Sequence, residues 1–162
     1  MANSIDHRVV THDYDHDVTV FIIGMRINRA RALREWWPVF TIMPKMQAEL
    51  AAAPDSGYLG GRNCLSGRTI LSIQYWRSAA DLEHYARNPD QLHRPAWTAF
   101  NTRSRASTAV GIFHETYVVP AGNHESLYRN LPLIGLAAAT HGSVEVGARS
   151  AEFRDRLHLS GH

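Results

Sequence analysis

In two segments of this 162-residue chain, apolar side chains occupy both the odd and the even positions, so both faces of an extended strand would be apolar. They are "DVTVFIIGMRI" at residues 17–27 and "AVGIFHETYVVP" at residues 109–120. Both are rich in β-branched residues and are short, which indicates strands and not long helices. Side chains along a strand alternate between its faces. One face of the second segment therefore carries Val110, Ile112, His114, Thr116 and Val118, and the other carries Gly111, Phe113, Glu115, Tyr117 and Val119. Strands of this kind need cover on both sides.

The segments between these strands complete a β-α-β-β-α(α)-β order. Helical spacing predicts helices at 34–53, 79–88 and 93–107, and a hairpin is predicted from strands at 58–66 and 69–77. This is the order of the ferredoxin-like fold, an α+β architecture in which a four-stranded antiparallel sheet carries its helices on one face. The simplest cover for the other face is a second copy of the chain, so a homodimer is predicted.

Local signals place the ends and the weak point of the helices. Ser78 followed by Asp81 resembles a capping box that opens the second helix, and Asn88 before Pro89 ends it. Pro44 lacks an amide hydrogen and crowds the preceding turn, so it is expected to bend or split the first helix.

Composition limits the classes of function. The sequence divides into a polar N-terminal arm (1–16), the ferredoxin-like domain (17–136) and a C-terminal extension (137–162). A net charge of only +2, without a basic run containing aromatic residues, argues against nucleic-acid binding. No apolar run is long enough to span a membrane, so no membrane partner is predicted. A single cysteine, Cys64, excludes an intrachain disulfide framework, and a cytoplasmic location is expected.

Two histidines are the leading candidates for a site. His114 lies in the middle of the last predicted strand, on the face of Ile112 and Thr116. His93 shares a helix face with Trp97 and Phe100, at positions i, i+4 and i+7. If the helices cover the His114 face, both histidines open into one gap between helices and sheet. The alternative is that neither residue is functional: His114 would then be a histidine of the core, and His93 would cap the start of the helix or contact solvent.

Other polar residues on the predicted hairpin can belong to the same pocket. Ser72, Gln74 and Trp76 share one strand face, and polar side chains inside a strand need partners. A bound small molecule supplies such a partner, and so does mutual hydrogen bonding. The "HDYDHD" run (12–17) groups histidines with carboxylates, a combination that suits zinc or nickel, but no scaffold is evident and a solvated arm is favoured.

Several stretches together resemble a known superfamily. "GRT", "SIQYWRSAADLEHYARN", "AWTAF" and "GIFHETYVV" are similar to the dimeric α/β barrels, and within them to uncharacterised monooxygenase-like bacterial proteins. "YWRSAADLEHYA", His93 and "FHET" also resemble the C-terminal half of haem-dependent aldoxime dehydratases. That second resemblance implies haem, with His93 as its axial iron ligand, Trp97 and Phe100 against the porphyrin, and His114 as the distal acid/base.

Three functions follow as alternatives. The first is a haem enzyme in which His114 moves a proton while iron polarises a small N–O or oxygen-containing substrate. The second is a cofactor-independent monooxygenase of the antibiotic-biosynthesis type, with His114 as the base. The third is a non-catalytic haem-binding or small-ligand-binding protein. The resemblance implies haem binding more strongly than dehydration, because the dehydratases are about twice as long and two of their other distal residues have no match here.

Overall fold

A computed structural model describes residues 5–88, 98–102 and 105–147, together with positions 153 and 157. Its elements in chain order are β1 Asp6–His12, β2 Val18–Ile27, α1 Leu33–Ala51, a 3-10 turn Pro54–Ser56, β3 Tyr58–Ser66, β4 Thr69–Trp76, α2 Ala79–Arg87, β5 Val110–Val119, β6 Tyr128–Leu131, α3 Gly135–Ala139 and β7 Ser143–Glu145. Residues 98–102 are also helical.

The main sheet confirms the predicted fold class. Its strand order is β3-β4-β2-β5, and every neighbouring pair is antiparallel. The β2, β3, β4 and β5 strands match the four predicted strands to within a residue at each end. The first and last of these, β2 and β5, lie side by side along their full length. This is the ferredoxin-like arrangement, with α1 and α2 as the helices that connect the strands.

One face of the main sheet packs against α1 and α2. The core cluster on that side consists of Leu50, Trp76 and Tyr85, with Phe21, Tyr58 and Leu82 packed against it. The Trp76 ring is fully buried and stacks between two tyrosines, with ring centroids 5.3 Å from Tyr58 and 5.7 Å from Tyr85. Burying such large aromatic rings is a strong stabilising term for this helix–sheet layer.

The predicted start of α2 is confirmed, whereas the predicted split of α1 at Pro44 is not observed. The Ser78 hydroxyl accepts a hydrogen bond from the Asp81 amide at 3.1 Å, and Asn88 is the C-cap. The α1 helix runs unbroken from residue 33 to 51 with both Pro38 and Pro44 inside it. Pro44 therefore does not split the helix, although it leaves the Phe40 carbonyl without its usual amide partner.

A second sheet stands where a polar arm was expected. Residues 6–12 form β1, which pairs with β6 on one side and β7 on the other. Strand β6 therefore belongs to this second sheet and does not extend the main sheet. Within the predicted C-terminal extension (137–162), Ser143–Glu145 also join this sheet, as β7. The pairing connects residues more than a hundred positions apart, which local sequence patterns do not reveal.

The short helix α3 joins the two sheets. Ala139 lies against Gly60 of β3, where an added Cβ atom would stand 3.0 Å from the Ala139 Cα. Gly60 also has a φ of 152°, which side chains rarely adopt, and it falls at a register shift in the β3–β4 ladder. A glycine here lets α3 approach the edge of the main sheet. Among the described residues, no helix is long and apolar enough to cross a membrane.

Candidate functional site

The main cavity lies between the helix-covered face of the sheet and helices α1 and α2. Its volume is about 580 Å³, within the range of small-molecule sites. Most of its wall is apolar, and the polar groups in it come from a few residues. The apolar wall includes Phe21, Ile23, Met43, Met46, Leu50 and Leu82, and the polar part includes Gln74, Glu83, His114 and Thr116. An apolar cavity with few polar groups suits a small, mainly apolar molecule.

His114 faces this cavity from the edge strand β5. It pairs in register with Ile23 of β2, and its ring centroid is 5.7 Å from that of Phe21. The side chain is exposed in the single chain, and within the described part of the protein no hydrogen bond holds its ring. The helices therefore cover the His114 face of the sheet, which the sequence alone left open. A ring without a fixed partner at the cavity wall is available to bond a ligand.

Ser72, Gln74 and Trp76 share the helix-covered face and bond to one another. The Trp76 indole N–H donates to Gln74 Oε1 at 3.1 Å, and Gln74 Nε2 donates to Ser72 Oγ at 3.2 Å. Gln47 of α1 also donates to Ser72 Oγ, at 2.7 Å. Ser72 and Gln74 are only 2% and 5% exposed, so these bonds satisfy groups that would be costly to bury alone. We call this set of four residues the polar ladder.

The sequence left two explanations for the polar side chains of Ser72 and Gln74, which were a bound small molecule and mutual hydrogen bonding. The mutual hydrogen bonding that was weighed against a ligand is present, and it extends to Asn63, whose amide exchanges bonds of 2.9 and 3.2 Å with Gln47. Gln74 and Trp76 still line the cavity, whereas Ser72 lines a smaller neighbouring one of about 40 Å³. Substrate contact by these residues stays a prediction.

Sequence patterns missed several residues of the layer between the helices and the sheet, of which Tyr85 lines the cavity. Gln47 was hidden because it lies beside the apolar stripe of α1, and only its contact with Ser72 reveals its role. Tyr85 and Glu49 bond across from α2 to α1, with 3.4 Å between Tyr85 Oη and Glu49 Oε2. Burial is the main cause that raises the Tyr85 pKa, with a further contribution from the Glu49 charge, so the phenol stays protonated. The helical spacing of Leu82 and Tyr85 was a signal for this wall.

The proposed haem residues are only partly covered by the structure. His93 and Trp97 lie outside the described residues. Phe100 is half-buried in the helical residues 98–102 and is not among the described residues that line the cavity. The structure therefore does not test whether His93 and His114 share one gap.

Glu115 and Tyr117 point away from the cavity, as the period-two pattern predicts. Their side chains lie on the opposite face of β5, where the Tyr117 hydroxyl donates to Glu115 Oε2 at 2.7 Å. This hydrogen bond, followed by the negative charge of Glu115, raises the pKa of Tyr117. Glu115 was expected at a dimer face or beside an arginine, and its partner in the single chain is Tyr117.

The "HDYDHD" run (12–17) is divided between the second sheet and a loop: His12 is the last residue of β1, whereas Asp13, Asp15, His16 and Asp17 are exposed. His12 Nε2 lies 2.8 Å from His124 Nδ1, and His12 Nδ1 lies 2.7 Å from Ser126 Oγ. Within the described ranges no group of three or more histidine, cysteine or acidic side chains could hold a metal ion. Cys64 is half-buried on β3. His124, which carried no signal in the sequence, is therefore the partner that gives His12 its structural role.

Comparison with known proteins identifies the family to which this chain is similar. A model of the family described as "Monooxygenase af470-like" matches residues 18–136. Monooxygenase af470 of Aspergillus fumigatus is 30% identical over 138 residues, which are 84% of this chain and 45% of that protein. The chain thus spans less than half the length of this curated relative.

Solved structures show weaker similarity. A possible oxidoreductase from Bacteroides thetaiotaomicron has a TM-score of 0.46 and 8% identity, over 65% of this chain and 99% of that one. SnoaB, a cofactor-independent oxygenase from Streptomyces nogalater, has a TM-score of 0.43 and 18% identity, over 63% and 91%. Values this low assign no chemistry. The comparisons support the expected monooxygenase-like relationship, and they give no support to the aldoxime dehydratase resemblance or to haem.

Proposed function

Because the chain belongs to the monooxygenase af470-like family, we propose that it is a monooxygenase for a small, flat, electron-rich aromatic substrate and needs no resident cofactor. The observation that carries this proposal is the apolar cavity of about 580 Å³ with the unbonded His114 ring in its wall. Aromatic and methionine side chains offer flat, polarisable contacts to such a substrate. This was the second of the three alternatives that the sequence left open.

His114 supplies the base in this mechanism. It removes a proton from an acidic O–H or C–H group of the bound aromatic, and imidazole is the side chain that most often performs such a transfer. The resulting anion donates electrons to molecular oxygen. One oxygen atom enters the product as a carbonyl oxygen, and the other leaves as water with two hydrogens of the substrate, which supplies all four electrons that this reduction of oxygen needs. No external reductant is required for this balance.

The rest of the wall positions the substrate. The polar ladder holds Trp76 and Gln74 in fixed orientations, because each polar atom in it already has a protein partner. Met43, Met46 and Leu50 of α1 form the opposite side of the cavity. The substrate ring is therefore held by shape and apolar contact, while His114, whose ring has no hydrogen-bond partner among the described residues, meets its acidic hydrogen.

Oxygen uptake tests the proposal. The purified protein is mixed with a naphthol in buffer containing a metal chelator, and oxygen consumption is followed with an electrode. We expect His114→Ala to lower the rate by about 10²- to 10⁴-fold, the usual contribution of a general base. His84→Ala is the matched control, because His84 is exposed on α2 and does not line the main cavity.

Three outcomes would contradict this function. The first is an unchanged rate in His114→Ala, which removes the proposed base. The second is oxygen uptake that begins only after hemin is added and is lost in His93→Ala. This result would support the haem enzyme, the first of the three alternatives. Naphthol binding without any turnover in the wild type, across a series of fused-ring phenols, would indicate a binding protein.

We also propose that the protein acts as a homodimer. The face of the main sheet away from α1 and α2 carries Ile22, Ile73, Phe113 and Tyr117, and Phe113 and Tyr117 are 40% and 51% exposed. A sheet face of this kind needs cover, and a second copy of the same sheet provides it. The two sheets would then close the barrel that the sequence resemblance implies.

A further inference from the structure

Helix α1 has a second apolar stripe that nothing in the described chain covers. Its core stripe is Val39, Met43, Met46 and Leu50, and beside it Leu33, Trp37, Phe40 and Pro44 repeat at the same three- and four-residue steps. Leu33, Trp37 and Phe40 are 52%, 51% and 40% exposed. We call this second set the α1 outer stripe.

The outer stripe is rigid at its start. The Trp36 and Trp37 rings pack edge to face at 5.9 Å, and Trp37 lies 5.6 Å from Phe40. The Trp36 indole donates to the Ala30 carbonyl at 3.0 Å, which ties the ring to the preceding turn. The aromatic side chains of Trp37 and Phe40 therefore pack against each other while both stay exposed, which is an unusual arrangement for a surface without a partner.

Arginines adjoin this stripe. The fifteen-residue stretch at 26–40 contains four of them, Arg26, Arg29, Arg31 and Arg34, against a single acid, Glu35. All four are exposed, and within the described residues none of them forms an ion pair. We call them the arginine cluster. Backbone bonds from Asn28 and Arg29 to the Ala109 carbonyl fix the segment that carries them.

We propose that the α1 outer stripe and the arginine cluster dock this protein on an anionic lipid bilayer. Tryptophan and other large apolar side chains partition into the boundary between headgroups and acyl chains. Arginines next to them meet the negative headgroups, and each contributes to attraction at the surface. Docking of this kind needs no spanning helix, so it agrees with the absence of one among the described residues.

A second copy of the chain is a poorer occupant. In a two-fold dimer the same patch meets itself, which would bring one arginine cluster against another. The stripe also lies on a helix, whereas the sheet face proposed for dimerisation is on the other side of the sheet. Charge complementarity therefore favours an anionic surface over self-association.

The stripe is continuous with the cavity. Phe40 lines the small cavity of about 40 Å³, whose wall shares Ile23 and Met43 with the main cavity. An apolar molecule dissolved in the bilayer would thus lie close to the main cavity. The docking itself does not depend on the proposed oxygenation, because it is measured without substrate.

Co-sedimentation with vesicles tests the docking. We expect binding to phosphatidylcholine vesicles that contain phosphatidylglycerol and little binding to phosphatidylcholine alone, with a blue shift of tryptophan fluorescence. The double variant Leu33→Ser/Trp37→Ser should weaken binding by about tenfold or more. Leu127→Ser is its matched control, since Leu127 is 51% exposed and lies before β6.

The charge contribution has its own pair of variants. Arg31→Gln/Arg34→Gln should lower binding by about tenfold and remove most of its dependence on salt, whereas Arg62→Gln/Arg129→Gln should leave both unchanged. Thermal melting of each variant checks that it is folded.

Several results would overturn the inference. Equal binding to neutral and anionic vesicles, or equal loss in the control variants, excludes an anionic docking surface. A change of oligomeric state in Leu33→Ser/Trp37→Ser would show that the stripe is an interface between copies. Tighter binding to a single-stranded oligonucleotide than to vesicles, lost in the same variants, would identify a nucleic-acid surface.

Discussion

The His12 ring lies in a chain of hydrogen bonds whose direction is fixed by one carbonyl. His124 Nε2 is 2.9 Å from the His16 carbonyl oxygen, which only accepts, so His124 carries its hydrogen there. His124 Nδ1 then accepts from His12 Nε2–H, and His12 Nδ1 accepts from the Ser126 hydroxyl. Every ring nitrogen is satisfied when both imidazoles are neutral. A proton added at His124 Nδ1 would place its N–H group against the N–H group of His12 Nε2.

Acid should therefore loosen the second sheet. Burial is the main cause that lowers the pKa of His12, followed by the neighbouring His124, while Glu125 and Asp13 act in the opposite direction. A histidine with a lowered native pKa binds more protons when unfolded, so stability is lost as pH falls through the ordinary histidine range near 6.5. We expect the Tm to fall by a few degrees between neutral pH and pH 5.

Substitution of His12 gives the check. His12→Gln keeps a polar side chain but cannot titrate, so its Tm should change less with pH than that of the wild type over the same range. His84→Gln, an exposed substitution on α2, should leave the wild-type profile unchanged. Identical pH profiles for His12→Gln and the wild type would show that the pair does not carry the effect.

At the scale of single helices and strands, the start of α2 shows most clearly which hydrogen bonds stabilise an element. The Ser78 hydroxyl accepts from the Asp81 amide and donates to Asp81 Oδ2 at 2.7 Å, while Arg77 forms two bonds of 3.1 and 3.2 Å with that carboxylate. The Arg77 bond is the main cause that lowers the Asp81 pKa, so the carboxylate stays ionised. Together these groups satisfy the Asp81 amide and hold the Asp81 carboxylate in the first turn of the helix.

Removal of the cap should weaken the helix that walls the cavity. Ser78→Ala is expected to lower the free energy of unfolding by about 1 kcal/mol, measured by urea denaturation. Ser66→Ala, at the exposed end of β3, should change it by less than about 0.5 kcal/mol. A Ser78→Ala protein with wild-type stability would mean that Arg77 and Asp81 hold the helix start without the hydroxyl.

The same scale shows what a sequence alone reveals. Alternation and capping are local properties, so β5, the hairpin of β3 and β4, and the Ser78 cap were all predicted close to their observed bounds. Strand β1 was missed because its sequence, "DHRVVTH", is polar and its cover comes from strands far along the chain. Gln47 was missed for a similar reason, since its role in the polar ladder depends on a hydrogen bond to Ser72 across the gap between helix and sheet.

At the scale of the whole molecule, the uncovered face of the main sheet carries the remaining prediction. The ring of Phe113 lies over Gly24 of β2, and with Ile22, Ile73 and Tyr117 it forms an apolar surface on the side away from the helices. A stable interface buries about 800 Å² per partner, and a few central aromatic residues supply most of its energy. Phe113 is the candidate for such a residue, because its large ring extends over the neighbouring strand β2 and is 40% exposed.

Phe113→Lys should convert the dimer to a monomer. A charge in the centre of a two-fold interface meets its own copy and loses its water, so we expect dimer dissociation to increase by about thirtyfold or more, measured by sedimentation equilibrium. Leu127→Lys places the same charge on another exposed apolar position and should leave the wild-type dimer intact. If the wild type sediments as a monomer at every concentration, the sheet face has another partner. If Phe113→Lys remains a dimer as stable as the wild type, the copies meet through a different surface.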